Sequence, residues 1–300
     1  MPAIPANGLR LYYESHGPDD GEPILLIMGL GAQMTRWSPA FWGKLVDAGY
    51  RVILFDNRDV GLTEKLDAAG RPDIAAVVAA LQAGRKPDVA YTLDDMAADA
   101  AGLLDALEID RAHIVGASMG GMIAQLVAAD YPHKTLSLTS IMSSTGNPEL
   151  PRATPEAMAR LNTPAPDPHK DLEAFLANAV EGARVMGPVY PVDEAAVRAQ
   201  TLGDFERAYY PIGFARQYAG VMASPDRRPK LKTITAPTVV VHGEADPLVP
   251  VEAGRDTAAN IPGAELKTYP GMGHELPAAL HDAVVADILT VIERARAPAA

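Results

Sequence analysis

Residues 113–122 read HIVGASMGGM, and these ten residues decide the fold. HIVGA (113–117) is a continuous apolar run of strand length, the pattern of a strand covered on both faces. GMIAQLVAADYP (121–132) has helical spacing and stops at Pro132. A strand that reverses sharply into a helix leaves its turn residue in a strained backbone conformation. Gly116 and Gly120, two positions either side of Ser118, remove the Cβ atoms that would clash, and Gly121 extends the small-residue cage. The pattern predicts Ser118 at the tip of a strand–turn–helix elbow, above the carboxyl edge of a sheet and near the positive end of the following helix.

The flanking chain repeats the alternation. LRLYYES (9–15) alternates like a strand and pairs with 2–6 as a hairpin, while ILLIM (24–28) and RVILFD (51–56) read as buried strands. TLSLTSIM (135–142), TVVVHG (238–243) and ELKTYP (265–270) complete the set. Helical stretches fall at 38–48, stopped by Gly49, at 92–109 and at 276–295. The second has Thr92 as N-cap, acids in its first turn and a stripe of Met96, Leu103, Leu104 and Leu107. Strands alternating with helices predict an α/β fold, a mostly parallel sheet flanked by helices on both faces. Residues 146–233 break this pattern: a proline-rich start gives way to helix-like sequence without buried strands. Its aromatic and leucine content is too high for a disordered linker. The expected division is a core of 1–145 and 234–300 with a helical insertion over 146–233.

Composition narrows the function. The 300 residues are 48% hydrophobic with a net charge of −12, an ordinary globular balance whose acidity disfavours nucleic acid as a partner. There are no cysteines, which excludes thiol catalysis, disulfides and thiolate metal sites. The start, MPAIPANGLRLYYESHG, lacks the basic and apolar regions of a secretory signal, and ILLIMGLGA (24–32) is too short to span a bilayer. A cytoplasmic protein without a membrane partner is the expectation. Oligomeric state leaves no trace in the sequence.

A serine hydroxyl is a weak nucleophile until a base takes its proton. Seven histidines compete for that role. His113 begins a buried strand, His281 falls within the last helix, and His16, His133 and His169 lie away from strand carboxyl ends. His274, in PGMGHELP after the last strand, belongs to a glycine-flexible loop on the side where Ser118 points. His242 ends a strand and is the competitor, with a structural or pocket-lining role favoured for it. The acid that would fix the imidazole tautomer falls in HGEADPLVP, at Asp246, with Glu244 as the alternative. The order Ser118, Asp246, His274 matches the chain order expected for a strand–turn–helix elbow architecture. Oxyanion donors are expected from the Met119 backbone N–H and from the loop MGLGAQ (28–33), where Gly29 and Gly31 let the Leu30 N–H approach a ligand.

That loop also imitates a dinucleotide fingerprint, with Asp56 ending the next strand. Met34 stands where the third glycine belongs, so nucleotide binding is not expected. No histidine–acid spacing points to a metal.

At GASMGG, DNRDVGLT, HGEADPLVP and GMGH the sequence resembles the α/β-hydrolase superfamily, over nearly the whole chain. Within it, the chain is similar to carboxylesterases near the aclacinomycin methylesterase group. The resemblance implies a serine carboxylesterase of short- to medium-chain or otherwise apolar small-molecule esters, requiring no cofactor. It carries nucleophile, acid and base onto Ser118, Asp246 and His274, and the oxyanion donors onto Leu30 and Met119. Lactonase, carbon–carbon hydrolase, perhydrolase or slow-turnover ligand receptor are the alternatives on the same triad. Two positions depart from the commoner pattern: Met28-Gly29 replaces His-Gly, and Asp59 replaces a glycine in the D-x-R-G-x-G turn. Asp56 and Arg58 are expected to bond locally and hold that turn. The insertion resembles the cap that sets substrate choice, and Tyr209, Phe214, Tyr218 and Met222 are its candidate pocket residues, with Phe205 and Tyr210 nearby.

Overall fold

The computed structural model describes residues 3–297. In chain order the elements are β1 (Ala3–Ala6), β2 (Leu9–His16), β3 (Pro23–Ile27), α1 (Pro39–Asp47), β4 (Arg51–Phe55), α2 (Ile74–Gln82), α3 (Leu93–Ala106), β5 (Ala112–Ala117), α4 (Met119–Asp130) and β6 (Thr135–Ile141). Five helices follow: α5 (Pro155–Asn162), α6 (Leu172–Met186), α7 (Glu194–Arg207), α8 (Pro211–Ala223) and α9 (Arg228–Leu231). Then come β7 (Thr238–Gly243), α10 (Val251–Asn260), β8 (Glu265–Tyr269) and α11 (His281–Arg296).

The strands form one sheet of order β1-β2-β4-β3-β5-β6-β7-β8. The pairs β1–β2 and β2–β4 are antiparallel, and every pair from β4 to β8 is parallel. Parallel strands covered on both faces need apolar side chains at every position, which explains the unbroken runs. Leu25, Ile27, Ile53, Phe55 and Ile114 pack on one face with α3 and α4, through Leu93, Met96, Ile123 and Val127. Ile24, Leu26, Val52, Leu54 and Val115 pack on the other with α1 and α11, through Phe41, Leu45, Val284 and Ile288. Helix α3 opens as its sequence indicates, the Thr92 N–H donating to the Asp95 carboxylate at 2.7 Å.

Two boundaries differ from the sequence reading, and two helices are additional to it. The elbow turn is a single residue, so α4 begins at Met119 rather than 121. The last helix begins at His281, because Pro277 and a 3₁₀ turn over Ala278–Leu280 occupy its expected first turn. Helices α2 and α10 were not anticipated. Helix α2 (IAAVVAALQ) is apolar nearly all round and buries only Val77 and Ala80, so periodicity does not betray it. Helix α10 (VEAGRDTAAN) carries a weak stripe behind Pro250. No helix among the described residues is long and apolar enough to cross a membrane.

Candidate active site

Ser118 links β5 to α4 with φ 56° and ψ −122°, a left-handed conformation that costs a non-glycine residue about 1–3 kcal/mol. The surroundings over-determine it. The Ser118 N–H donates to the Ile141 carbonyl at 2.9 Å, and the Ser143 hydroxyl donates to the Ser118 carbonyl at 2.9 Å. A Cβ on Gly116 would stand 2.1 Å from the Gly120 carbonyl oxygen, and one on Gly120 would stand 2.0 Å from that of Ile27. Both glycines are required by backbone crossing at van der Waals distance.

Two loops from beyond the insertion meet this serine. The Ser118 Oγ lies 2.9 Å from His274 Nε2, and His274 Nδ1 lies 2.8 Å from Asp246 Oδ2. The carboxylate fixes the tautomer: Nδ1–H donates to Asp246, leaving Nε2 to accept the serine proton. Asp246 is itself held by the Leu248 and Val249 N–H groups, which donate to Oδ1 at 2.9 and 2.8 Å. The His274 N–H donates to the Met186 carbonyl at 2.7 Å, tying its loop to the end of α6.

The competing assignments fall elsewhere. Glu244 accepts from Thr268 Oγ1 at 2.8 Å and does not join the chain of bonds. His242 is fully buried, its Nε2 2.8 Å from the Val249 carbonyl and 3.8 Å from Asp246 Oδ2. Burial pushes its pKa below the ordinary histidine value, so it stays a neutral wall behind the carboxylate. His113 bonds Ser137 on the neighbouring strand, and His281 lies at the start of α11.

The loop after β3 approaches from the other side. A Cβ on Gly29 would stand 3.1 Å from the Ser118 Cβ. Among the described residues, the Leu30 and Met119 N–H groups have no acceptor within the chain, while the Gly31 N–H is taken by Gln217. Two donors thus flank the serine oxygen's loop, one from each side.

A cavity of about 900 Å³ opens over these groups, lined by Leu30, Ser118, Met119 and His274 and walled by α5–α8. Tyr209, Phe214 and Tyr218 line it, as do Phe205 and Tyr210. Met222 is a correction: it does not line the cavity, and Val221 does. On α8 the positions 214, 218 and 221 share a face, and 222 turns off it. Phe175, Met158, Met186 and Glu275 line the cavity and were not anticipated. Phe175 forms an aromatic group with Phe205 and Tyr209, centroids 6.1 and 6.0 Å away. Glu275, beside His274, has Oε1 buried without a hydrogen-bond partner, and burial raises its pKa. Its adjacency to His274 was the available signal.

The DNRD turn reaches further than local bonds, which corrects the expectation for Asp56 and Arg58. Asp56 does accept from Leu62 N–H at 2.8 Å, but also from Met34 N–H at 2.8 Å and pairs with Arg207 at 2.8 Å. Arg58 pairs with Asp99 on α3, at 2.6 Å through Nε. Asp59 pairs with Arg216 on α8. Charge complementarity between residues this far apart in the chain leaves no local sequence mark.

A hydroxyl on a strained elbow, an imidazole and a buried carboxylate bonded in series over the carboxyl edge of a mostly parallel sheet define an α/β hydrolase. The chain belongs to the alpha/beta hydrolase fold family, whose model matches residues 22–277. It is 29% identical to rhodomycin D methylesterase DnrP of Streptomyces peucetius over 93% of this chain and 94% of that one. It is 30% identical to a 2-hydroxy-6-oxononadienedioate/2-hydroxy-6-oxononatrienedioate hydrolase of Burkholderia vietnamiensis, over 89% of this chain and 85% of that one. Among solved structures, Est816, described as an N-acyl homoserine lactone degrading enzyme, aligns with a TM-score of 0.65 and 26% identity. That alignment covers 97% of this chain and 98% of Est816.

Proposed function

We propose that the protein is a serine carboxylesterase. The supporting observation is the bonded series Ser118 Oγ, His274 Nε2 and Nδ1, Asp246 Oδ2, with spacings of 2.9 and 2.8 Å. Ser118 Oγ attacks the ester carbonyl carbon while its proton passes to His274 Nε2. Asp246 holds the imidazolium that forms. The carbonyl oxygen becomes an oxyanion and accepts from the Leu30 and Met119 N–H groups. Collapse breaks the bond to the alcohol oxygen, which takes the proton from Nε2, leaving an acyl group on Ser118. Water then loses a proton to Nε2, attacks the acyl carbon, and the acid departs as Ser118 recovers its hydrogen.

The helices α5–α9 act in this reading as a cap over the site. Tyr209, Phe214 and Tyr218, with Phe175 and Phe205, make the wall apolar and favour esters with apolar acyl or alcohol groups. The likeness to a methylesterase supports an ester substrate. The likeness to a lactone-degrading enzyme favours a second reading, a cyclic ester opened by the same steps.

Turnover of p-nitrophenyl acetate, butyrate and octanoate beside a panel of lactones and diketones tests the reading. Many turnovers per minute on the esters, abolished by Ser118→Ala, are expected. A single slow acylation would identify a ligand receptor. A fluorophosphonate should add mass to the peptide carrying Ser118, and labelling elsewhere would move the nucleophile.

A further inference from the structure

Gln217 is a fully buried amide in the middle of α8, and both ends of its side chain are used. Oε1 accepts from the Gly31 N–H at 2.8 Å, and Nε2 donates to the Arg58 carbonyl at 2.8 Å. One partner can only donate and the other can only accept, so the amide orientation is forced. A single side chain of the helical insertion thereby bridges the loop after β3 to the turn after β4.

Gly31 directly follows Leu30, whose N–H has no acceptor within the chain among the described residues. The loop is anchored on either side, the Met28 carbonyl accepting from Asn57 Nδ2 at 2.8 Å and Gln33 Nε2 donating to the Ala208 carbonyl at 2.9 Å, but between these its own restraint is slight: the Ala32 N–H reaches the Gly29 carbonyl at 3.3 Å, and Gly31 adopts φ +67°. Three glycine-rich residues with one long internal bond have many conformations of similar energy. A backbone donor serves an oxyanion only when its direction is set beforehand. The bond from Gly31 to Gln217 supplies that restraint one peptide away from the donor. The bond to Arg58 fixes the amide in turn, and the neighbouring Arg216 bolts the same turn of α8 to Asp59.

We propose that Gln217 is a positioning residue: it presents the Leu30 N–H to the developing oxyanion, so that α8 completes the catalytic loop. The proposal rests on the serine-hydrolase reading of the site. Gln217 touches no substrate in this role. Glutamate replaces it fully only while its carboxyl is protonated, because the ionised carboxylate would face the Arg58 carbonyl without a proton to donate. It would still accept from Gly31. Methionine keeps the volume and loses both bonds.

Gln217→Met and Gln217→Glu test this through kcat, KM, and the affinity of phenylboronic acid, which forms a tetrahedral adduct on the serine. Loss of a full oxyanion donor costs on the order of a hundredfold to a thousandfold in kcat, so a mispositioned one should cost about tenfold to a hundredfold. Gln217→Met should lose kcat and boronate affinity in the same proportion, with KM within about threefold. Gln217→Glu should fall between it and the parent. Should Gln217→Met fail to fold, the Glu variant decides by the same readout. Unchanged kcat in a folded variant, or kcat falling while boronate affinity holds, overturns the proposal. Failure of fluorophosphonate to label Ser118 in the parent overturns instead the hydrolase reading beneath it.

Discussion

Arg216 lays its guanidinium against the Asp59 carboxylate in two hydrogen bonds, Nε to Oδ2 and Nη2 to Oδ1, both 2.7 Å long. The two side chains are 1% and 0% exposed. The Tyr91 hydroxyl donates to the same carboxylate at 2.8 Å, and the Gly70 carbonyl and Tyr210 hydroxyl accept two of the three remaining guanidinium protons. The aspartate that departs from the commoner turn pattern therefore anchors the helix that carries Phe214 and Tyr218 into the cavity. Its bond to Arg216 raises the pKa of that guanidinium. Removing one partner strands a buried charge, and such losses run to about 3–5 kcal/mol. Arg216→Met should lower stability in urea unfolding by that order, and Asp59→Asn by less.

Ser118→Ala should cut kcat on p-nitrophenyl butyrate by on the order of a millionfold, with the fold intact. Asp246→Asn should cost on the order of ten-thousandfold by presenting the wrong imidazole tautomer. A mild Asp246→Asn beside a severe Glu244→Gln would transfer the acid's role.

Two glycine substitutions should diverge. Gly120→Ala would press a methyl to 2.0 Å from the Ile27 carbonyl oxygen, and backbone cannot yield cheaply there. A loss of about 3 kcal/mol or a failure to fold is expected. Gly43 lies inside α1 with nothing within 4 Å of an added Cβ. Gly43→Ala should gain up to about 1 kcal/mol from helix propensity. Thermal melts of both variants check the contrast.

Pocket residues should separate by helical face. Phe214→Ala and Tyr218→Ala should alter the preference between acetate and octanoate esters several-fold. Met222→Ala, off the cavity face, should leave the ratio unchanged. A shift with Met222→Ala equal to that of Phe214→Ala would contradict the lining described above.

Burial lowers the pKa of His113, His242 and His281 below the ordinary histidine value. The unfolded chain binds protons at these sites first as pH falls. Their contribution to stability is complete above the ordinary value and is lost progressively as pH falls from it towards the lowered folded value. The slope reaches at most about 1.4 kcal/mol per pH unit for each histidine. The melting temperature should fall from pH 7 to pH 5, and His113→Gln should flatten that slope whatever it does to the absolute value.

The sheet was legible because buried parallel strands require unbroken apolar runs, and LLI, VILF and IVGA are such runs. The elbow was legible because close backbone crossing admits only glycine at 116 and 120. The three groups that converge on it, Ser118, Asp246 and His274, stand at strand carboxyl ends, but so do His242 and Glu244, and only the bonding geometry separates them. Helix α2 escaped because an apolar face without periodicity carries no signal. The ion pairs from Asp56 to Arg207 and from Asp59 to Arg216 escaped because their partners lie in another part of the chain. Gln217 looked like any polar residue on a helix, and only its two distant partners give it meaning.

The constraints that set the elbow's turn, at Gly116, Gly120 and the Ser118 N–H and carbonyl, bear on main-chain atoms rather than on what hangs from position 118. The scaffold thus dictates where a reactive group stands and leaves its identity open. A thiol installed there would hang from the same Cβ under the same imidazole, and a carboxylate would reach one bond further towards it, so the architecture constrains where a reactive atom stands more tightly than which atom it is.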